Sequence, residues 1–356
     1  YYNRTYTATD ECGNTSTYDQ VIQLVDTTDP TIDTAALSST VECDGTSDPS
    51  GAFASWLANN GGAVASDDCS GVTWTNDSDG LSDGCGATGT ETVIFTATDA
   101  CDNTITTEAT FTIADTTNPS IDTAAISSTV ECDGTSDPSG AFAAWLANNG
   151  GAVASDDCSG VAWTNDSDGL SDGCGATGTE TVIFTATDAC NNTITTEATF
   201  TIADTTNPSI DTAASDDTVE CDGDGNIAEL TAWLNSNGGA SATDNCSGVT
   251  WSNNSTGLSD GCGATGTETV IFTATDACDN TITTEATFTI ADTTNPSIDT
   301  AAISSTVECD GTSDPSGAFA AWLANNGGAV ASDDCSGVAW TNDSDGLSDG
   351  CGATGT

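Results

Sequence analysis

The feature that most restricts what this chain can fold into is that it repeats itself. The segment Thr40-Val41-Glu42-Cys43-Asp44-Gly45 returns around Cys132, Cys221 and Cys309, at steps of 89, 89 and 88 residues. The run from Ala302 to Thr356 copies the run from Ala125 to Thr179 residue for residue. Such self-similarity means one small domain in tandem. The period divides the chain into a closing hairpin of an incomplete repeat (1–25) and repeats 1 (26–114), 2 (115–203), 3 (204–291) and 4 (292–356). The last of these lacks its own closing hairpin.

Inside a repeat the patterning is mostly that of short strands. Val93, Phe95 and Ala97 alternate with Thr92, Ile94 and Thr96, and Ile105, Thr107, Ala109, Phe111 and Ile113 alternate likewise with their neighbours. Period two marks half-buried strands, and Cys101-Asp102-Asn103-Thr104 between them is a hairpin turn, because Asp and Asn tolerate left-handed dihedrals. Val72 and Trp74 supply another inward strand face. One helix is expected with Asp48 as its cap and Pro49 at its first position, with Phe53, Trp56 and Leu57 as its core stripe and Asn60-Gly61-Gly62 as its stop. In repeat 3 the equivalent start, Asn226 with Glu229, reads as a capping box.

Composition narrows the function. The 356 residues carry 55 acidic groups against one basic group, Arg4, with no His, for a formal charge of -54. Phosphate and anionic lipid are repelled by such a surface, which excludes nucleic acid and membrane insertion as modes of action. The 36% apolar content and the recurring Val-Ile-Phe-Trp runs argue for a folded chain rather than a disordered acidic one. There is no Lys, no His and no serine with a visible base, so the chain is not expected to be an enzyme.

Sixteen cysteines stand at repeating spacings, and no close CxxC pair is among them. With no His to share a metal, disulfides in an oxidising, extracellular setting are the expected use. Each full repeat carries four: Cys43, Cys69, Cys85 and Cys101, then Cys132, Cys158, Cys174 and Cys190, then Cys221, Cys246, Cys262 and Cys278. Sequence alone allows three pairings of four cysteines.

The stretch from Phe95 to Thr104, Phe-Thr-Ala-Thr-Asp-Ala-Cys-Asp-Asn-Thr, followed by Ala114-Asp115-Thr116-Thr117-Asn118-Pro119, resembles the hyalin-repeat-like and related immunoglobulin-like modules of large bacterial surface proteins. The signature recurs as Phe184 to Thr193 with Asp204 to Pro208, and as Phe272 to Thr281 with Asp292 to Pro296. The resemblance implies a mainly β protein: tandem immunoglobulin-like β-sandwiches, each with one short helix and two disulfides, arranged as an extended rod. It also implies a stalk or adhesion role at the cell surface. The central helix and the four cysteines depart from the simplest form of the module.

An immunoglobulin-like strand order would run the strand from Val72 antiparallel to the one ending at Thr98, bringing Cys69 and Cys101 to the same end of one sheet. The resemblance thus implies bridges Cys69–Cys101 and Cys43–Cys85. Carried along the chain these become Cys158–Cys190 with Cys132–Cys174, Cys246–Cys278 with Cys221–Cys262, and Cys309–Cys351, leaving Cys12 and Cys335 unpaired. The other arrangement in view pairs Cys43 with Cys69 and Cys85 with Cys101.

The same strand order gathers acidic groups at the end of a repeat that receives the chain. These are Asp26 and Asp29 from the linker, Asp67 and Asp68 from the loop before Cys69, and Asp99 and Asp102 from the hairpin tip. The equivalent sets are Asp115, Asp156, Asp157 and Asp188; Asp204, Asp244 and Asp276; and Asp292, Asp333 and Asp334. Carboxylates converging from three segments call for a cation, and Ca2+ takes its six to eight ligands from such oxygens. Loop aspartates that only turn the chain and keep it soluble are the plainer reading.

The sequons at Asn76, Asn165, Asn253 and Asn342 are acceptors for N-linked glycan. Thr27 and Thr34, in Asp-Thr-Thr and Asp-Thr-Ala triplets, are similar to an O-linked acceptor pattern of some secreted bacterial proteins. The two ends of the sequence are complementary fragments of one repeat. They fit a window on a longer array, or a subunit whose first hairpin completes a neighbour's last repeat, with Cys12 and Cys335 free to link across the joint. The function expected is an extracellular filament or adhesin stalk whose partners are neighbouring copies or repeats. The alternative is an adhesin whose repeats themselves grip glycan or a host or partner-cell surface.

Overall fold

The alternating segments are strands. In the computed structural model, which describes residues 1–259, 261–308 and 310–348, the first stretch forms β1 (Tyr2–Thr9) and β2 (Thr15–Ile22). Repeat 1 follows with β3 (Thr31–Thr34), β4 (Ser39–Glu42), the helix α1 (Ala52–Ala58), β5 (Val64–Ser66), β6 (Thr73–Asn76), β7 (Gly89–Thr98) and β8 (Thr104–Ala114). Repeat 3 runs through the same series, from Ser209–Thr212 to Thr281–Ala291. By contact density the chain forms two compact units. One comprises Tyr1–Ser128, Gly140–Gly169 and Glu180–Phe200, the other Thr129–Ser139, Leu170–Thr179 and Thr201–Thr356.

Repeats 1 to 3 are each a β-sandwich-like layer pair. In repeat 1 a four-stranded sheet in the order β4-β8-β7-β6 faces a second layer made of the β3–β5 pair and α1. Val93, Phe95, Ala97, Ala109, Phe111 and Ile113 point inward and are at most 5% exposed, as their alternation requires. From the helix, Trp56 meets Phe95 edge-on at 5.2 Å and Phe111 at 5.4 Å, and its indole N–H donates to the Leu37 carbonyl at 2.9 Å. The Trp–Phe stripe therefore packs on the core half-buried, each aromatic contributing less than the roughly 1.5–3 kcal/mol of a fully buried side chain.

Local signals explain the joints. The Asp48 carboxylate accepts the amides of Phe53 (2.7 Å) and Ala54 (3.1 Å), closing the start of α1 across the Pro49–Gly51 turn. The helix stops where Asn60 and Gly61 take positive φ. Asp102 carries φ 68° at the β7–β8 turn, as the hairpin reading expected. The capping box of repeat 3 does not form. Asn226 sits at φ 47° with its side chain turned back to the Asp222 amide and the Glu220 carbonyl, so it ties the loop before the helix instead of the helix start.

Strand polarity fixes where the cysteines lie. β4 runs parallel to β8, with Glu42 beside Ala114, whereas β6 and β8 both run antiparallel to β7, with Thr73 beside Thr98. Cys43, just after β4, and Cys85, just before β7, therefore stand at the outgoing end of the repeat. Cys69, before β6, and Cys101, after β7, stand at the receiving end. Each end carries two cysteines.

Candidate functional site at the repeat junctions

The bridges run between repeats, not within them. Cys43 bonds Cys158 and Cys85 bonds Cys190; the pattern continues as Cys132–Cys246, Cys174–Cys278 and Cys221–Cys335. The rule is constant: the first cysteine of a repeat bonds the second of the next, and the third bonds the fourth. Cα–Cα separations of 5.3–5.8 Å are ordinary for disulfides.

This overturns the pairings implied by the resemblance. Cys69–Cys101, Cys43–Cys85, Cys158–Cys190, Cys132–Cys174, Cys246–Cys278 and Cys221–Cys262 do not occur, and Cys335 is bonded to Cys221 rather than free. The physical reason is polarity. The outgoing end of one repeat faces the receiving end of the next, so each cysteine reaches forward or back across the joint. The other arrangement, Cys43–Cys69 with Cys85–Cys101, would have to span a repeat from end to end. Cys309 and Cys351 lie outside the described residues. Cys12, Cys69, Cys101 and Cys262 are exposed and free.

Backbone contacts reinforce each joint. The Ala87 amide donates to the Cys158 carbonyl at 3.1 Å, and Ala264 repeats this with Cys335. Asn245 donates its side-chain amide to the Cys132 carbonyl at 2.9 Å. Gly45 and Gly86, both at positive φ, let the next repeat come so close that a Cβ would lie 2.6 Å from the Asp157 carbonyl oxygen and 2.8 Å from that of Cys158. Sequence reasoning passed over these glycines and Glu42, although the recurrence of Glu-Cys-Asp-Gly was a signal for Glu42 and Gly45, and that of Gly-Cys-Gly for Gly86. The Glu42 carboxylate accepts the amides and hydroxyls of Thr116 and Thr117 at 2.7–3.1 Å, tying the linker to the repeat it leaves. Glu131 and Glu220 do the same for Thr205–Thr206 and Thr293–Thr294. These hydrogen bonds, led by the Thr116 amide for Glu42, hold the glutamates below the usual carboxylate range.

Beside the bridges the structure gathers the aspartates. Asp115, Asp156 and Asp188 bring one oxygen each within 4.8 Å of the others, and Asp26 and Asp67 converge with Cys69, as Asp292 and Asp333 do with Cys335. Asp204 feels the charges of Asp244 and Asp276. Asn103 spans from the Asp99 carboxylate at 2.7 Å to the Asp26 carbonyl at 3.4 Å, so Asp99 reaches the same corner. Asp29, Asp68, Asp102, Asp157 and Asp334 are exposed to solvent.

The carboxylates at this corner are unevenly satisfied. Asp156 accepts the Cys158 and Ser159 amides at 2.9 Å, and Asp188 accepts the Cys190 and Asn192 amides at 2.7 and 2.9 Å. Both oxygens of Asp115, Oδ2 of Asp26 and Asp204, and Oδ1 of Asp244 are buried without any partner. Burial first, then the charges of Asp156 and Asp188, pushes the Asp115 carboxyl above its usual range. Burial likewise raises Asp204, against a hydrogen bond from Thr206 and with help from Asp244 and Asp276. The Asp115–Asp156–Asp188 set, oxygen-only and with orphaned buried oxygens on Asp115, fits a hard divalent cation such as Ca2+.

Asn76, Asn165, Asn253, Asn342, Thr27 and Thr34 are all exposed. Ten cysteines in bridges require an oxidising compartment, and the protein is extracellular. Among the described residues no helix is long and apolar enough to cross a membrane.

No family model matches the chain, and no curated protein matches it. Solved structures similar to it include the protocadherin GammaB4 extracellular domain, at 14% identity over 87% of this chain with a TM-score of 0.29. Others are Drosophila N-cadherin EC1-4, at 10% identity over 80% of this chain and 82% of that one (TM-score 0.24), and the human desmocollin-1 ectodomain, at 11% over 83% and 69% (TM-score 0.24). The chain spans 57% of the protocadherin GammaB4 chain.

Proposed function

We propose that the chain is a load-bearing segment of an extracellular filament or adhesin stalk, of the kind the hyalin-repeat-like resemblance implies, with no catalytic role of its own. The observation that carries this is the overlap of the bridges. The loops 43–158, 85–190, 132–246, 174–278 and 221–335 each open before the preceding one closes. The shortest covalent path from Cys43 to Cys335 jumps to Cys158, returns to Cys132, jumps to Cys246, returns to Cys221 and jumps again. Unfolding a repeat under tension therefore releases only the short segments 132–158 and 221–246, never the whole intervening chain.

A divalent cation completes this reading. Asp115, Asp156 and Asp188, with their counterparts at each joint, would hold Ca2+, whose charge offsets the repulsion of carboxylates that the fold has drawn together. Glycan on the exposed sequons would leave the joints clear, and intact-mass measurement detects it. The partners are further repeats of the same kind.

Single-molecule pulling on the chain by its two ends tests the mechanical reading. The oxidised chain should extend by a small fraction of the contour length gained after reduction. Equal extension in the oxidised and reduced forms would overturn it.

A further inference from the structure

The aspartates at the receiving end do more than lie near the bridges. Each of the second and fourth cysteines follows an aspartate by two residues, and that aspartate accepts the cysteine's own amide. Asp156 holds Cys158 and Asp188 holds Cys190; Asp244 holds Cys246 and Asp276 holds Cys278; Asp333 holds Cys335. Asn192 and Asn280 then join the fourth-cysteine loop to the linker, donating to the carbonyls of Asp115 and Asp204. The carboxylates that would hold the cation thus also fix the two loops that present the cysteines.

Repeat 1 displays this platform without its bridges. Asp67 accepts the Cys69 amide at 2.9 Å and Asp99 accepts that of Cys101 at 2.7 Å, while Asn103 reaches Asp26. The two loops touch, the Ala100 amide donating to the Ser70 hydroxyl at 3.1 Å. Even so, Cys69 and Cys101 are free and not joined to each other.

We propose that a divalent cation bound at the Asp115–Asp156–Asp188 corner, and at its counterparts, selects the cross-repeat disulfides by holding the second and fourth cysteines of a repeat away from each other and toward the repeat before. The inference rests on the cation reading above. Without the cation the three carboxylates repel, the loops 156–159 and 188–192 lose their fixed aim toward the repeat before, and Cys158 and Cys190, which share the receiving end of one repeat, become the easier pair. The oxidant is a small disulfide of the glutathione type. One cysteine thiolate attacks it and releases one glutathione thiolate; the second cysteine thiolate attacks the mixed disulfide and releases the other. Two protein thiols are oxidised and one glutathione disulfide is reduced to two thiols.

The test is oxidative refolding of the reduced full chain in a glutathione redox buffer, with Ca2+ or with a chelator, followed by mass-spectrometric mapping of the bridges. With Ca2+ the cross-repeat peptides Cys43–Cys158, Cys85–Cys190, Cys132–Cys246 and Cys174–Cys278 should dominate. With chelator they should be lost in favour of Cys158–Cys190 and Cys246–Cys278. The D115N/D204N double variant, a neutral change at the linker, should give the chelator pattern at these joints even with Ca2+. Identical maps with and without Ca2+ would overturn the inference. Calorimetric titration of the oxidised chain separates the two readings: no Ca2+ uptake removes the cation reading itself, whereas uptake with an unchanged map removes only the selection.

Discussion

Gly45 and Asp157 meet backbone to backbone across the joint between repeats 1 and 2, so close that a Cβ on Gly45 would lie 2.6 Å from the Asp157 carbonyl oxygen. Gly45 is at φ 79°, and its counterpart Gly311, at φ 87°, has nothing within 4 Å of the same point. The pair separates steric cost from dihedral cost. Gly311→Ala should lower stability by about 1–2 kcal/mol through its left-handed dihedral alone. Gly45→Ala should cost more and slow formation of the Cys43–Cys158 bridge. Thermal melts of the two variants make the comparison, and equal losses would show that the joint does not bear on Gly45.

The two bridges of a joint differ in access. Cys43 and Cys158 are each 6% exposed, whereas Cys85 is exposed and Cys190 half-buried. A thiolate must reach the sulfur it attacks. Mild reductant without denaturant should therefore open Cys85–Cys190 and Cys174–Cys278 first, as read by alkylation and peptide mapping. Loss of all bridges should cost roughly 2–5 kcal/mol for each.

Asp115 carries the sign of the cation effect. Its carboxyl is raised by burial and by its acidic neighbours, so in the folded chain the charged form is disfavoured. A raised pKa contributes stability below the unfolded value that is lost as pH rises through the folded one. At neutral pH in chelator, Asp115→Asn should accordingly raise the melting temperature by a few degrees. With Ca2+ the order should reverse, because a ligand at a hundred times its Kd adds about 2.7 kcal/mol per site to the unmodified chain. Scanning calorimetry of both forms in both buffers reads the crossing.

Glu42, Glu131 and Glu220 have the opposite sign. Hydrogen bonds from the linker threonines hold them below their ordinary 4.5. The stability they contribute is present above that value and lost as pH falls through the lowered one. The protection factors of the Thr116, Thr205 and Thr293 amides should fall in that acid range before the strands open, and Glu42→Gln should lower that of Thr116 already at neutral pH.

The elements were readable because their causes are local. Alternation placed Val93, Phe95 and Phe111 inward, Asp48-Pro49 started the helix, and Asp102 marked the turn, each through forces acting over a few residues. The sequence also drew Asp115, Asp156 and Asp188 into one set, through the strand order that the resemblance implies. Orphaned oxygens at Asp115 and the Glu42 clamp on Thr116 were beyond reach, since both depend on which groups solvent is kept from.

Periodicity and composition by themselves determined that this is an acidic, cysteine-rich tandem β protein with four cysteines in each full repeat. Which cysteine each one bonds was decided only by the tertiary structure. A disulfide forms where two Cβ atoms are brought within a few ångströms. Whether the nearest thiol belongs to the same repeat or the next depends on how one repeat docks on another, and spacing along a single repeat carries no record of that.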